Sequence, residues 1–236
     1  MTAEIVKRQL LSFGNPGKAD HSRYFFKTGK GQYGEGDRFI GVTVPESRSV
    51  AKANKNLSFD ELKKLLDDDY HECRFCALII LADQFKKADN AGRKEIFEFY
   101  LANTRGINNW DLVDVSSYSI VGEWLLDNDR SVLYQLAGSA NLWEQRISII
   151  STLAFIRKND FADTLKLSEK FLTHRHDLMH KACGWMLREA GKRDEKTLTY
   201  FLDKHCTQMP RTMLRYAIEK LSPEQKTHYL TKKIRN

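Results

Sequence analysis

Arg74-Phe75-Cys76-Ala77-Leu78-Ile79 sets a basic side chain ahead of a small and apolar run, and the chain returns to that arrangement three more times. Arg146-Ile-Ser-Ile-Ile150, Lys181-Ala-Cys-Gly-Trp185 and Arg215-Tyr-Ala-Ile218 follow at spacings of 72, 35 and 34 residues. The first spacing is two repeats, and its midpoint falls on residue 110. Glycine is concentrated in residues 29–41 and proline occurs only four times, so most of the chain is free of helix breakers. A period near 35 residues with two helices per unit predicts an all-α fold, an α-solenoid in which each unit buries its apolar face only against its neighbours. Stacked units curve, so equivalent positions on successive second helices are expected to line a concave basic groove. We read residues 1–236 as one repeat domain, with N-terminal helices over 1–56 and repeats over 57–236.

The midpoint stretch is Asn109-Trp110-Asp111-Leu112-Val113-Asp114. On a helix, the i,i+4 spacing puts the Trp110 indole and the Asp114 carboxylate on one face, one turn apart, where they can hold a cation. Asp111 reads as a cap or brace for that helix. Trp143 with Arg146, and Trp185 with Arg188, fall in the corresponding helices of later repeats. Three of the four tryptophans are therefore expected on one surface. Tryptophans interleaved with arginines suit a groove for phosphate and for something aromatic or cationic.

Charge and cysteine usage narrow the partner. The formal net charge of +7, with a pI near 9.1, favours a polyanion, and nucleic acid above all. Arg157-Lys158, Lys192-Arg193 and Lys232-Lys233 suit the backbone of a duplex. Four scattered cysteines do not form a disulfide framework, and we expect reduced thiols in a cytoplasmic protein. Met1-Thr-Ala-Glu-Ile5 carries no basic segment followed by an apolar run. No stretch reaches the roughly 18 apolar residues of a membrane span, so no membrane partner is expected.

Nearer the N-terminus, an amphipathic helix runs from Ile5 toward Phe13 and is closed by Gly14-Asn-Pro-Gly17. A second helix carries Arg23-Tyr-Phe-Phe26. The glycine-rich segment Lys27–Asp37 follows, then an extended run at Phe39–Val44, and Pro45-Glu46 restarts a helix. Gly29, Gly31 and Gly34 spell G-x-G-x-x-G, but no apolar strand precedes them and no βαβ unit follows, so we read a structural or substrate-facing loop. Cys73-x-x-Cys76 lacks a second ligand pair and reads as core thiols. His174, His176 and His180 lack the glutamate of H-E-x-x-H and read as a polar helix start, not a metal site.

Trp110-Asp-Leu-Val-Asp114, Leu142-Trp-Glu-Gln-Arg146 and Gly184-Trp-Met-Leu-Arg-Glu189, in that order on successive repeats, closely resemble the AlkD-type DNA glycosylases of the DNA alkylation repair family. Arg23-Tyr24 and Val44-Pro-Glu-Ser-Arg48 extend the resemblance over nearly the whole chain. It implies HEAT-like repeats and hydrolysis of the N-glycosidic bond of cationic bases, such as 3-methyladenine and 7-methylguanine, in double-stranded DNA. By the same resemblance Asp114 is the catalytic aspartate, Trp110 and Trp185 are groove tryptophans, Arg146 binds phosphate, and Tyr24 lies near the lesion. Trp143 and Arg188 are added as groove contacts. The resemblance implies no metal and no cofactor, and we expect a monomer associated with the nucleoid. Asn109 stands where close relatives can carry a second tryptophan, and the glycine-rich loop is not shared by every member. A non-catalytic module for damaged or structured DNA, and a scaffold for an acidic protein partner, are the alternatives.

Overall fold

The helices of this chain begin at side chains that replace missing backbone partners. At the start of α3 (Val44–Ala53) the Glu46 carboxylate accepts from the Thr43 N–H at 2.7 Å, and Thr43 Oγ1 accepts in return from the Glu46 N–H. This capping box, with Pro45 in the first turn, fixes where the helix starts; such a cap contributes about 1 kcal/mol. Ser222 and Gln225 repeat the device at α15 (Pro223–Thr231). Asn15, Asp89, Asn141 and Asp194 cap further helices through their side chains.

In the computed structural model, which describes residues 1–232, the chain is all-α, built from helix pairs of the α-solenoid class. Contacts group the helices into two units, Met1–Val121 and Gly122 onward. The first unit holds α1 (Ala3–Ser12), α2 (Pro16–Phe25), α3, α4 (Phe59–Leu66), α5 (His71–Lys87), α6 (Asn90–Ala102) and α7 (Trp110–Ser117). The second holds α8 (Ser131–Ala137), α9 (Leu142–Ser151), the single turn α10 (Leu153–Ile156), α11 (Ala162–Lys170), α12 (Asp177–Arg193), α13 (Glu195–His205), α14 (Arg211–Ala217) and α15. Second helices start at His71, Trp110, Leu142, Asp177 and Arg211, so the near-35-residue rhythm of the sequence is the rhythm of the fold.

In the first unit α5 is packed by α3, α4 and α7, and is buried nearly all round over its first three turns. Leu62, Leu65 and Leu66 of α4 and Leu78, Ile80 and Leu81 of α5 form the seam, each no more than 2% exposed. In the second unit α12 plays the same part against α9, α11, α13 and α14. Its approach to α14 is set by Gly184, where an added Cβ would lie 2.5 Å from Tyr216 Cβ and 2.6 Å from the Met213 carbonyl oxygen. Only a residue without a side chain permits that crossing.

Two sequence expectations need adjustment. Helix α2 starts at Pro16, inside the segment read as a stop, because Asn15 caps it and a first-turn proline has no N–H to leave unsatisfied. Residues 39–44 form no strand; among the described residues the one isolated bridge pairs Arg38 with Tyr70. The N–H groups of Ile40, Gly41 and Val42 instead donate to the buried Glu72 carboxylate at 2.8 to 3.2 Å, so a side chain takes the place of a neighbouring strand. Gly41 has φ +87°, and a Cβ there would sit 2.1 Å from the Asn15 carbonyl oxygen, which explains the last glycine of the rich segment.

Candidate active site

Helix α7 realises the spacing read from the sequence. It begins at Trp110 and is helical through Ser117, so Trp110 and Asp114 lie one turn apart, and both are half-buried. Asn109 caps it, accepting from the Trp110 N–H at 2.9 Å. Asn109 is fully buried and its Nδ2 donates to Asp37 Oδ2 at 3.2 Å, so the residue that replaces a second tryptophan anchors the glycine-rich loop.

The Trp110 indole is held in a group of rings. Phe26 stacks on it at 5.4 Å and Phe25 meets it edge-on at 5.8 Å, while Phe26 continues onto Phe39 at 5.1 Å and His71 at 5.0 Å. A ring wedged this way keeps its orientation without help from a ligand. Phe25 is 51% exposed and Tyr24 77%, with Lys27 Nζ 4.5 Å above the Tyr24 ring. Phe25 thus reaches solvent beside Trp110, with Tyr24 next to it on α2 and Lys27 just past the helix end.

The two carboxylates of α7 have different surroundings. Asp111 Oδ2 accepts from His71 Nε2 at 2.8 Å, and the other imidazole nitrogen faces Asp37 Oδ2 at 3.2 Å. Burial works against a charge on His71, but the Asp111 carboxylate, by charge and hydrogen bond, and Asp37 beside it outweigh that cost and push the pKa up to about 9. His71 is therefore an imidazolium at neutral pH, donating from both nitrogens. Burial likewise opposes ionisation of Asp37, yet the hydrogen bond from His71, the Arg74 guanidinium and the Asn108 amide hold it below the usual carboxylate range. Arg74 Nη2 reaches Asp37 Oδ1 at 2.6 Å, and Asn108 Nδ2 reaches the same oxygen at 2.9 Å. Asp114 lies close enough to the buried Tyr100 for its charge to be felt there. Burial raises the Tyr100 phenol, the Ser116 hydroxyl at 2.9 Å lowers it, and the Asp114 charge raises it further.

In the second unit, the half-buried Trp185 donates from Nε1 to Glu189 Oε1 at 3.2 Å. Arg188 pairs with Glu219 and, at 3.5 Å, with Glu189, which also binds Lys192 at 2.8 Å. Trp143 and Arg146 do not take the exposed places expected of them. Trp143 is 8% exposed and belongs to the core. Arg146 is 4% exposed, and its Nη1 donates to the Leu178 carbonyl at 2.6 Å, tying α9 to the first turn of α12. His176 caps α12 and His174 reaches Gln145 at 2.9 Å. Cys73, Cys76 and Cys183 are buried thiols, and burial pushes Cys76 and Cys183 up to about 12. Lys192 and Arg193 end α12, and Arg157 and Lys158 are exposed after α10; Lys233 lies outside the described residues.

Sequence reasoning missed Asp37, His71 and the pair Phe25 and Phe26. A signal was present, since His71 and Asp111 are 40 residues apart, about one repeat, at the starts of neighbouring second helices.

Repeated helix pairs, with an aromatic-braced indole and a half-buried carboxylate on one of the second helices, define an all-α repeat protein. The chain belongs to the family described as DNA alkylation repair enzyme, whose sequence pattern matches residues 6–221. A solved structure from Enterococcus faecalis, described as a predicted DNA alkylation repair enzyme, is similar in fold. It has a TM-score of 0.70 at 16% identity, with 89% of this chain and 97% of that one covered. No curated protein matches the sequence. Among the described residues no helix is long and apolar enough to cross a membrane.

Proposed function

We propose that the protein is a monofunctional DNA glycosylase that hydrolyses the N-glycosidic bond of cationic alkylated purines in duplex DNA. The observation that carries this reading is the placement on α7 of the half-buried Asp114 one turn from Trp110, an indole braced by Phe25 and Phe26. Asp111, on the same helix, serves as the brace of His71. Membership of the family supports it.

A base alkylated at N3 or N7 is already cationic and leaves without protonation, so a single carboxylate suffices. Positive charge develops on the deoxyribose as the bond breaks. Asp114 stabilises that oxocarbenium-like sugar and orients the attacking water. Trp110 packs its face against the sugar and the cationic base, a contact of about 1–2 kcal/mol when desolvated. Tyr24 and Phe25 extend this aromatic surface from α2. Trp185 and Arg188 serve DNA binding from α12, and the exposed basic side chains contribute phosphate contacts that position the duplex without reading its sequence. The reading needs no metal and no cofactor.

The test is release of 7-methylguanine from methylated duplex DNA by the purified protein, under single-turnover conditions and over a range of salt. Release that weakens steeply with salt is expected. A protein that binds methylated duplex but releases no base would instead be a non-catalytic DNA-binding module.

A further inference from the structure

Beneath α2, wholly within the first unit, lies a cavity of about 510 Å³ that the proposed chemistry does not use. Its size falls in the range of small-molecule sites, roughly 300–1,000 Å³. Phe26, Phe39, Phe75 and the face of His71 line its interior, and Phe39 stacks on His71 at 4.7 Å. Such walls favour a flat ring over an aliphatic chain. The His71 nitrogens are both spent on carboxylates, so the histidine offers the site its face and not a donor.

Asp111 also lines the cavity. Each of its oxygens accepts one bond, from His71 Nε2 at 2.8 Å and from the Leu112 N–H at 2.9 Å. An ionised carboxylate has room for about four, so Asp111 retains acceptor capacity and its side chain keeps 18% exposure. Of the charged side chains that line the cavity, Glu72 and Asp111 are matched by His71 and Lys18, so it is the open acceptor positions of Asp111, and not a net charge, that select a donor. Lys18 and His21 also line the site but are exposed.

We propose that this cavity is a binding site for a free planar nitrogen heterocycle of purine size, enclosed by Phe26, Phe39 and Phe75 and donating N–H groups to Asp111. Binding needs no DNA and no turnover, so the inference stands or falls separately from the glycosylase reading.

The experiment is isothermal titration calorimetry of the intact protein with adenine, and with benzoate as a flat anion without N–H donors. Adenine should bind saturably at one site per chain, at least about tenfold tighter than benzoate. Val44 lines the cavity, sits at the first position of α3 and is 51% exposed, so Val44→Trp can fill the site without disturbing the core. It should weaken adenine binding at least about tenfold. Asp111→Asn should weaken it at least about fivefold. No saturable binding of adenine, equal binding of benzoate, or adenine affinity unchanged in Val44→Trp would overturn the proposal; the last holds even where Asp111→Asn proves unstable.

Discussion

Replacing His71 by glutamine should destabilise the protein much more at pH 6 than at pH 10. The His71 pKa rises from 6.5 to about 9 because two carboxylates face a buried ring. At about 1.36 kcal/mol per unit, protonation in the folded state contributes about 3 kcal/mol. The folded value lies above the unfolded one, so this stability is complete below about pH 6.5 and is lost as the pH rises through about 9. By linkage roughly half of it or less should remain at pH 8 and almost none at pH 10. Glutamine keeps a hydrogen-bonding side chain but cannot carry the proton. Urea denaturation of wild type and His71→Gln, followed by circular dichroism at pH 6, 8 and 10, measures the gap directly, and titrations common to both proteins cancel. The gap should narrow by about 3 kcal/mol between pH 6 and pH 10. A gap constant within about 1 kcal/mol would show that His71 is not charged in the folded protein, and the account of the Asp37–His71–Asp111 network would fail.

Other perturbations separate structural from functional side chains. Asp37→Ala leaves Arg74 and His71 buried without their partner and should cost about 3–5 kcal/mol in urea denaturation. Gly184→Ala forces α12 from α14 and should lower stability by about 1–3 kcal/mol, visible as a fall in Tm. Trp143→Ala should cost about 3–5 kcal/mol of stability, whereas the half-buried Trp185→Ala should mainly weaken duplex binding in a fluorescence anisotropy titration. Cys73, Cys76 and Cys183 should resist a thiol reagent at pH 8 in the folded protein and react once urea is added, as their buried, raised thiols require.

The repeat was legible because four of the second helices carry a basic residue about one turn in, and a period near 35 residues survives in Arg74, Arg146, Lys181 and Arg215. The i,i+4 relation of Trp110 and Asp114 was equally plain, since it depends only on helix geometry once Asn109 is recognised as a cap. What the repeat could not reveal is which way its basic residues turn. Arg74 and Arg146 point inward, each donating from a guanidinium nitrogen to a main-chain carbonyl at 2.6 Å, because a fork of donors can satisfy carbonyls that nothing else reaches. Arg146 and Trp143, expected along the groove, are buried at 4% and 8% exposure. Glu72 was hidden for a similar reason. Its carboxylate serves three N–H groups some 30 residues earlier in the chain, a tie that no local pattern announces. The glycine-rich loop is tied down at Asp37, which binds His71, Arg74, Asn108 and Asn109 together, partners 34 to 72 residues away in the chain.

The most direct test of the central claim is the single-turnover rate of 7-methylguanine release from methylated duplex by wild type and Asp114→Asn, with duplex affinity measured in parallel. Removing a charge that stabilises the developing sugar cation should slow release by about 10²-fold or more while the Kd for duplex stays within about threefold. Undiminished release by Asp114→Asn, with binding intact, would contradict the account and leave α7 without its assigned chemistry.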